Sequence, residues 1–423
     1  MTEPVPAQRP DWELPDAERW LLGLELFGMS FGLDRMRALM AQLGSPQRRL
    51  RSVHVVGSNG KSSTTRMIAA ILASHGMRTG EYLSPHLVSF TERVRIAGQD
   101  IAGTNFARAA QRACDAVQAV DAELSGGERV TQFEAVTATG YLALREGRVD
   151  VAVVEAGLGG RYDATSVIDS EIQVLTSVGL EHTEWLGSSI AEIAAEKVDV
   201  VRPGGTLVTG AGLAPEALAV ARAVCEQRGA RLVVAPADET AAAGGLPPFQ
   251  RANFALARAA AGTLLGKLDE RAVAHAAAAM TIPGRFEIVG TDPVTIHDGA
   301  HNPDGITALV GALREFLNGR RLVCCLSVLD DKDAAAMLRQ LSEVCDELVL
   351  TTATHPRAVA AHDLLALCKA VGAGPATVVD QPHAAIARAR ESAGAGGVAL
   401  ATGSLYLLAD LRRPEGSQGG STL

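Results

Sequence analysis

A lysine, a run of hydroxyls and two glycines follow an apolar stretch in VHVVGSNGKSSTT, Val53 to Thr65. Val53, His54, Val55 and Val56 read as a buried parallel strand, which Gly57 and Gly60 break. Lys61 comes next, and Ser62, Ser63, Thr64 and Thr65 open a helix that carries Ile68, Ile71 and Leu72. This is the layout of a phosphate cradle. Free N–H groups in the loop and at the helix N-terminus bind the oxygens, and the lysine neutralises charge. A hydroxyl beside the lysine can reach a magnesium ion. The strict eight-residue phosphate-loop pattern is not met, because its first glycine falls at Val55. A plain Gly-rich turn before a helix is the competing account; the flanking strand and helix favour a site for ATP or GTP.

In an open parallel sheet, ligands gather outside the carboxyl ends of the strands. Three polar residues stand just past such ends: Ser84 in YLSPHL, Glu155 closing VDVAVVE, and His182 after QVLTSVGLE. Converging there, oxygen and imidazole ligands would hold a divalent metal beside the phosphates. Taken singly, Ser84 also reads as a cap before Pro85 and His182 as a satisfied half-buried histidine. Glu155 is harder to explain away, since an acid after four apolar residues, Val151 to Val154, is costly to bury without a cation. Lys197 shares a helical face with Ile190 and Ile193, so a lysine lies on a core stripe. It either snorkels to the surface or sits beside the metal, open to modification. Further on, Pro283-Gly284-Arg285 supplies a cation, and Asp298 and His301 follow a strand in TIHDGAHNP. Asp298 reads as a turn cap or as part of a nucleotide-facing edge, and Asn253 as a helix N-cap.

These residues need a scaffold of strand ends. Trp20, Leu21, Leu24 and Phe27 mark a helical opening over 16–43, broken at Gly28–Gly32. Strands are expected near 78–83, 149–155, 171–178, 206–209 and 231–235, with Ala-rich helices between them. The segment 236–250 reads as a surface excursion. A second α/β set follows, with strands near 286–289, 294–297, 322–328, 347–351, 377–380 and 398–402. The fold class is therefore α/β: a doubly wound, mostly parallel sheet of P-loop type, then a smaller Rossmann-like α/β domain. The expected domains are 1–284 and 285–412, with 413–423 a polar, Gly/Ser-rich disordered tail.

The chain's 423 residues suffice for two or three cores, and it is 47% hydrophobic but only 4% aromatic. A net charge of −9 argues against a general nucleic-acid or anionic-membrane surface. The first 15 residues have no apolar core, so no signal peptide is expected, and no run approaches the ~20 apolar residues of a spanning helix. Six cysteines without a CxxC pair read as reduced, buried thiols of a cytoplasmic protein, not as metal ligands. No heptad or long exposed apolar stripe is evident, so a monomer is expected.

Taken in order, GSNGKSST, YLSPHL with TERVRI, EAGLGGRYDATSV, LEHTEWLG, IAAEKV, PGRFEIV, HDGAHNP, LDDKD and ATGSLYL resemble the motifs of folylpolyglutamate synthase/dihydrofolate synthase, a family of Mur-type amide ligases. The resemblance runs from about residue 17 to 410. It implies that Ser58, Asn59, Gly60 and Lys61, with Ser62 and Ser63 beside them, form the ATP-phosphate loop. Asn253, Arg285 and Asp298 would contact ATP. Ser84, Glu155 and His182 would ligate magnesium, and Lys197 would carry a carbamate that helps hold a second ion. Ser30, Phe31 and Gly32, Thr131, Gln132, Phe133 and Glu134, and Tyr162, Asp163 and Ala164 match positions that contact the pterin. His301 and Ser404 match positions near the glutamate. Three departures stand out: Ser62 replaces a usual glycine, Glu181 a usual aspartate, and EKVDVV stands for EKAGI.

The expected activity is ATP-dependent ligation of a carboxylate to the α-amine of L-glutamate. Lys61, Lys197, His182 and Arg285 would carry the catalysis, with a folate and, as a second acceptor, dihydropteroate. For the pterin pocket, Phe31 and Phe133 offer apolar faces and Glu134 and Asp163 accept hydrogen bonds; the plainer account makes both Phe core residues and Glu134 a helix cap. The nearest rival is a cell-wall ligase acting on a UDP-sugar peptide, but only about 50 residues precede Val53, too few for a separate UDP-binding domain. A non-catalytic nucleotide-binding regulator would not need Glu155, His182 and Lys197 together.

Overall fold

The computed structural model describes residues 10–25, 32–237 and 240–415. Two sheets organise the chain. The first contains β1 (Ser52–Val56), β2 (Thr79–Tyr82), β3 (Val94–Ile96), β4 (Gln99–Asp100), β5 (Val151–Glu155), β6 (Ile172–Leu175), β7 (Thr206–Gly210) and β8 (Arg231–Ala235). Their order is β4-β3-β2-β5-β1-β6-β7-β8. All neighbours run parallel except around β3, which pairs antiparallel with β2 and β4. That hairpin was not anticipated. Its turn places Ala97 and Gly98 both at positive φ, 51° and 78°, so an alanine takes a place usually held by Asn or Asp.

The strand β1 is central and buried on both faces, which is why VHVV is continuously apolar apart from His54. Burial and nearby Arg202 push the His54 imidazole down to about 3, so it stays neutral, and its Nε2 meets Thr165 Oγ1 at 2.8 Å. On one face Val53 and Val55 pack with Ile68, Ile71 and Phe254, from the helices Lys61–Ser74 and Pro248–Leu265. On β5, alternation sends Ala152 and Val154 to the opposite core, with Tyr141 and Val136, and sends Val151 and Val153 toward Ile68. Glu155 continues that second set and so points at the helix that begins with Lys61.

The second sheet contains β9 (Glu287–Thr291), β10 (Val294–His297), β11 (Leu322–Leu326), β12 (Glu347–Leu350), β13 (Ala376–Val378) and β14 (Val398–Thr402), in the order β13-β12-β11-β14-β10-β9. Only the edge strand β9 is antiparallel. The first sheet's strands end at Ala235 and the second's begin at Glu287, with helices Pro248–Leu265 and Glu270–Ala278 between. The helical opening forms Leu14–Leu22 and Asp34–Gln42. Most of its expected break, with Ser30 and Phe31, lies outside the described residues, as does 416–423 of the expected tail. The segment 236–250 is more than an excursion: Ala243 and Leu246 pack into the core beside Phe254. Among the described residues no helix is long and apolar enough to cross a membrane.

Candidate active site

The loops after β1, β2, β5 and β6 leave the same edge of the first sheet, because Val55 sits level with Glu155, Val56 with Leu175 and Tyr82 with Val154. The loop 57–60 then needs its glycines. A Cβ on Gly57 (φ 150°) would stand 2.0 Å from Thr176 Oγ1, and one on Gly60 (φ 84°) 2.5 Å from Asn253 Oδ1. Ser58 N donates to Ser177 O at 2.9 Å, Asn59 N to Ser177 Oγ at 2.9 Å, and Thr176 Oγ1 to Asn59 O at 2.6 Å. Lys61 opens the 14-residue helix and folds its Nζ back onto Gly57 O (2.9 Å) and Ser58 O (3.0 Å). Its charge hangs over the loop. Ser63 is buried behind it.

Glu155 is 1% exposed. Ser62 Oγ donates to its Oε1 at 2.8 Å and Ser84 N to its Oε2 at 3.1 Å. Burial raises its carboxyl above the usual range; Lys61 opposes this most, with Arg285 contributing from the second sheet. Lys197 is 1% exposed, so snorkelling is overturned: the amine stays inside, 3.4 Å from Glu181 Oε1. Burial first, then Lys61, lowers it to about 8. Burial would raise Glu181, yet Lys61 and Lys197 hold it below the ordinary value. His182 adopts a left-handed conformation (φ 48°), and burial lowers its pKa although Glu181 opposes the shift. Among the described residues no three His, Cys, Asp or Glu side chains cluster as a metal site. The expected ligand set has only two such side chains, Glu155 and His182. A buried carboxylate flanked by the Ser62 hydroxyl and the Ser84 segment is nevertheless the hard-oxygen environment magnesium prefers.

The second sheet closes over this edge. Asp298 follows β10 and accepts from Phe286 N (2.7 Å) and Ala300 N (2.8 Å), so it does organise a turn, the one that carries Arg285. Arg285 Nη1 donates to Gly299 O at 3.3 Å. Asn302 Nδ2 donates to Asn59 Oδ1 at 3.3 Å, which joins the helix Pro303–Leu317 to the phosphate loop. His301 Nδ1 lies 2.8 Å from Gly299 O, and burial holds its ring near 4, hence neutral. Asn253 is not an N-cap: it lies inside the helix Pro248–Leu265, whose cap is Pro247, and faces Gly60. Asn302, Asp304 and Lys332 were not singled out from the sequence. A Cβ on Gly179 would meet Asp304 Oδ2 at 2.3 Å, so Asp304 rests on the segment before His182. Lys332 pairs with Asp331 at 2.8 Å and helps lower His182 and His301. HNPD and LDDKD contained them, but nothing in the local spacing said they would cross to the first sheet.

The expected pterin positions are partly committed elsewhere. Thr131 caps the helix Gln132–Glu146, and Glu134 reciprocates by accepting from Thr131 N (2.8 Å) and Oγ1 (2.9 Å). Arg35 Nε also meets Glu134, at 3.3 Å. Here the plainer account holds: Glu134 is a helix cap. Gln132 ties its helix to Leu21 O at 2.9 Å. Asp163 accepts from Leu158 N (2.7 Å) and Thr165 N (3.0 Å), with buried Ala164 between, so it shapes the loop after Glu155. The half-buried Phe133 ring lies where a Cβ on Gly157 would come within 2.4 Å. Tyr162 is 50% exposed beside Arg161, and Gly32 is open, with nothing within 4 Å of a Cβ built there. Ser404 is buried and caps the helix Leu405–Arg412 through Tyr406 N at 3.1 Å.

Residues 284–405 match the model of the Mur ligase, glutamate ligase domain. The dihydrofolate synthase/folylpolyglutamate synthase of Bacillus subtilis is 32% identical, over 94% of this chain and 98% of its own. Folylpolyglutamate synthase of Mycobacterium tuberculosis, complexed with ADP and AMPPCP, is 32% identical at a TM-score of 0.86, covering 94% of this chain and 97% of that one. The bifunctional folylpolyglutamate synthase/dihydrofolate synthase of Yersinia pestis, complexed with AMPPNP and Mn ion, is 28% identical at a TM-score of 0.84, covering 96% and 98%. With a likeness that runs end to end and a phosphate loop, buried acid and buried lysine meeting at one sheet edge, this chain belongs to the folylpolyglutamate synthase/dihydrofolate synthase family of ATP-dependent glutamate ligases.

Proposed function

We propose that this chain joins L-glutamate to a folate carboxylate at the expense of ATP, and that it also accepts dihydropteroate. The observation that carries the reading is the meeting of Lys61, Glu155 and Lys197 on the first sheet with Arg285 from the second. A carboxylate at neutral pH is a poor electrophile, so an acceptor oxygen attacks the γ-phosphorus and the bond to ADP breaks. The glutamate amine then attacks the acyl phosphate carbon, and phosphate leaves as the amide forms and the amine proton is lost. The loop N–H groups of Ser58, Asn59 and Gly60 hold the phosphates, while Lys61 and Arg285 neutralise the charge that builds on the transferring group. Asn253 and Asp298 position the nucleotide, Asp298 through the Arg285 turn.

Ser84, Glu155 and His182 would hold one magnesium ion, and Lys197, as its carbamate, would help hold a second. The ions would supply charge neutralisation at the phosphates. Lys197 suits carbamate formation because burial keeps a useful share of its amine neutral. Phe133, Tyr162 and Asp163 would line the pterin site, and His301 and Ser404 the glutamate site. The division is 1–284 for ATP and acceptor and 285–412 for glutamate, with closure excluding water. The protein would act as a cytoplasmic monomer. The test is ADP release with ATP and glutamate, comparing dihydropteroate, a reduced folate and a UDP-muramyl acceptor. Turnover with the first two supports the reading; turnover with the last alone overturns it.

A further inference from the structure

At the outer edge of the second sheet, a groove of 410 Å³ opens between the β9–β10 hairpin and the helices Pro382–Ala393 and Leu405–Arg412. It arises because Pro382–Ala393 packs over β11, β12 and β14 and leaves the edge pair less covered. Alternation along the strands turns Glu287 and Val289 of β9 and His297 of β10 to its floor. Ile386 and Arg390, four apart on one helical face, form the wall, and Leu411 and Arg412 close one end.

The lining is ordered for an anion that carries an apolar body. His297, only 8% exposed, is kept neutral by burial and offers the floor a ring face, so the positive charge of the lining comes from Arg390 and Arg412. Val289 is 47% exposed on an edge strand, and Ile386 and Leu411 extend its apolar surface. Against one carboxylate the groove sets two guanidiniums. Glu287 Oε2 pairs with Arg412 and also accepts from Gly284 N at 2.7 Å, so that acid is engaged twice. Arg390 has no ion-pair or side-chain hydrogen-bond partner among the described residues, which leaves one positive charge uncompensated.

We propose that this groove binds a small monocarboxylate with a ring or branched apolar body. The carboxylate sits between Arg390 and Arg412 beside His297, where a planar guanidinium gives paired hydrogen bonds. The body covers Val289, Ile386 and Leu411. The volume is in the range of small-molecule sites, about 300–1,000 Å³. Benzoate has this chemistry and is the probe; acetate has the charge without the body, and benzamide the body without the charge.

The test is calorimetric titration of the full chain with benzoate at low ionic strength, with and without saturating ADP. The expected result is saturable binding with a Kd of about 1 mM or tighter, at least fivefold tighter than acetate or benzamide and unchanged by ADP. Arg390→Ala, at an exposed helix position, should fold normally, release ADP as before and lose binding at least fivefold. Val289→Asp, which puts a second carboxylate on the floor, should lose more. Benzoate binding no tighter than either control, equal binding in Arg390→Ala, or displacement by ADP would each overturn the proposal.

Discussion

Lys61→Ala separates charge at the phosphates from support of the fold. In the wild type, Lys61 Nζ donates to Gly57 O and Ser58 O at 2.9 and 3.0 Å, both partly exposed to water. Losing two such bonds costs roughly 1–3 kcal/mol of stability. Removing a cation from a helix N-terminus returns about 0.3–1 kcal/mol, so the net cost is of order 1–2 kcal/mol and a melting shift of a few degrees. The catalytic loss is larger. A charge aimed at a developing anion in a water-excluded site contributes ~2.7–4 kcal/mol, or about 10²–10³ in kcat. Two further effects follow from position. Lys61 is the main charge opposing the rise of Glu155 and the main charge depressing Lys197. Without it, Glu155 holds its proton more tightly and Lys197 is more often charged, so both expected metal-binding groups are disabled more readily. Steady-state ADP release, read with a thermal melt and a magnesium titration, checks all three. A kcat within tenfold of wild type, in a variant that melts no more than a few degrees lower, would refute the phosphate-loop reasoning. A collapse of the melt would show that Lys61 is mainly structural.

Glu155→Gln should raise the magnesium concentration needed for half-maximal rate at least tenfold, since an amide is a poor ligand for a hard cation; an unchanged magnesium curve would assign Glu155 another role. In the metal-free protein, Lys197, lowered by burial to about 8, releases its proton before its unfolded counterpart near 10.5. Stability therefore rises with pH across that window relative to Lys197→Met, and parallel stability–pH curves would contradict this. Lys197→Ala should lose activity that bicarbonate or a short carboxylic acid partly restores, and full activity without either would remove the carbamate from the mechanism. Phe133→Ala combined with Asp163→Ala should suppress dihydropteroate ligation more than extension of a reduced folate; equal losses would mean that one pocket serves both.

Much of the scaffold was legible because its signals are local. Buried parallel strands show as apolar runs, and VHVV, VAVVE and LVCCL each became a strand. Glycine spacing marked the phosphate loop, and the tight approaches at Gly57 and Gly60 give the physical reason. The short β3–β4 hairpin escaped because Ala97 occupies a positive-φ turn position without the usual residue type. The N-cap alternative for Asn253 fails because the helix starts at Pro248 with no polar cap to announce it, and Asn253 stands six residues past the actual cap, Pro247.

What the sequence determined by itself was the chemical kit and the end of each strand at which it would lie. Period-two alternation and strand direction belong to the segment, so Glu155 had to end a buried strand wherever that strand went. The tertiary structure decided which groups meet. Strand order set Glu155 beside Ser62 and the Ser84 segment, and helix packing buried Lys197 against Glu181 instead of letting it snorkel. Closure of the second sheet brought Asn302 to Asn59, across 243 residues of chain. Glu134 and Asp163 are the local exception: each caps its own segment, through Thr131 and Thr165, within three residues of sequence. The reason is physical: a side chain's type and local face follow from its neighbours in sequence. Its burial, its pKa and its partner depend on surfaces supplied by chain hundreds of residues away.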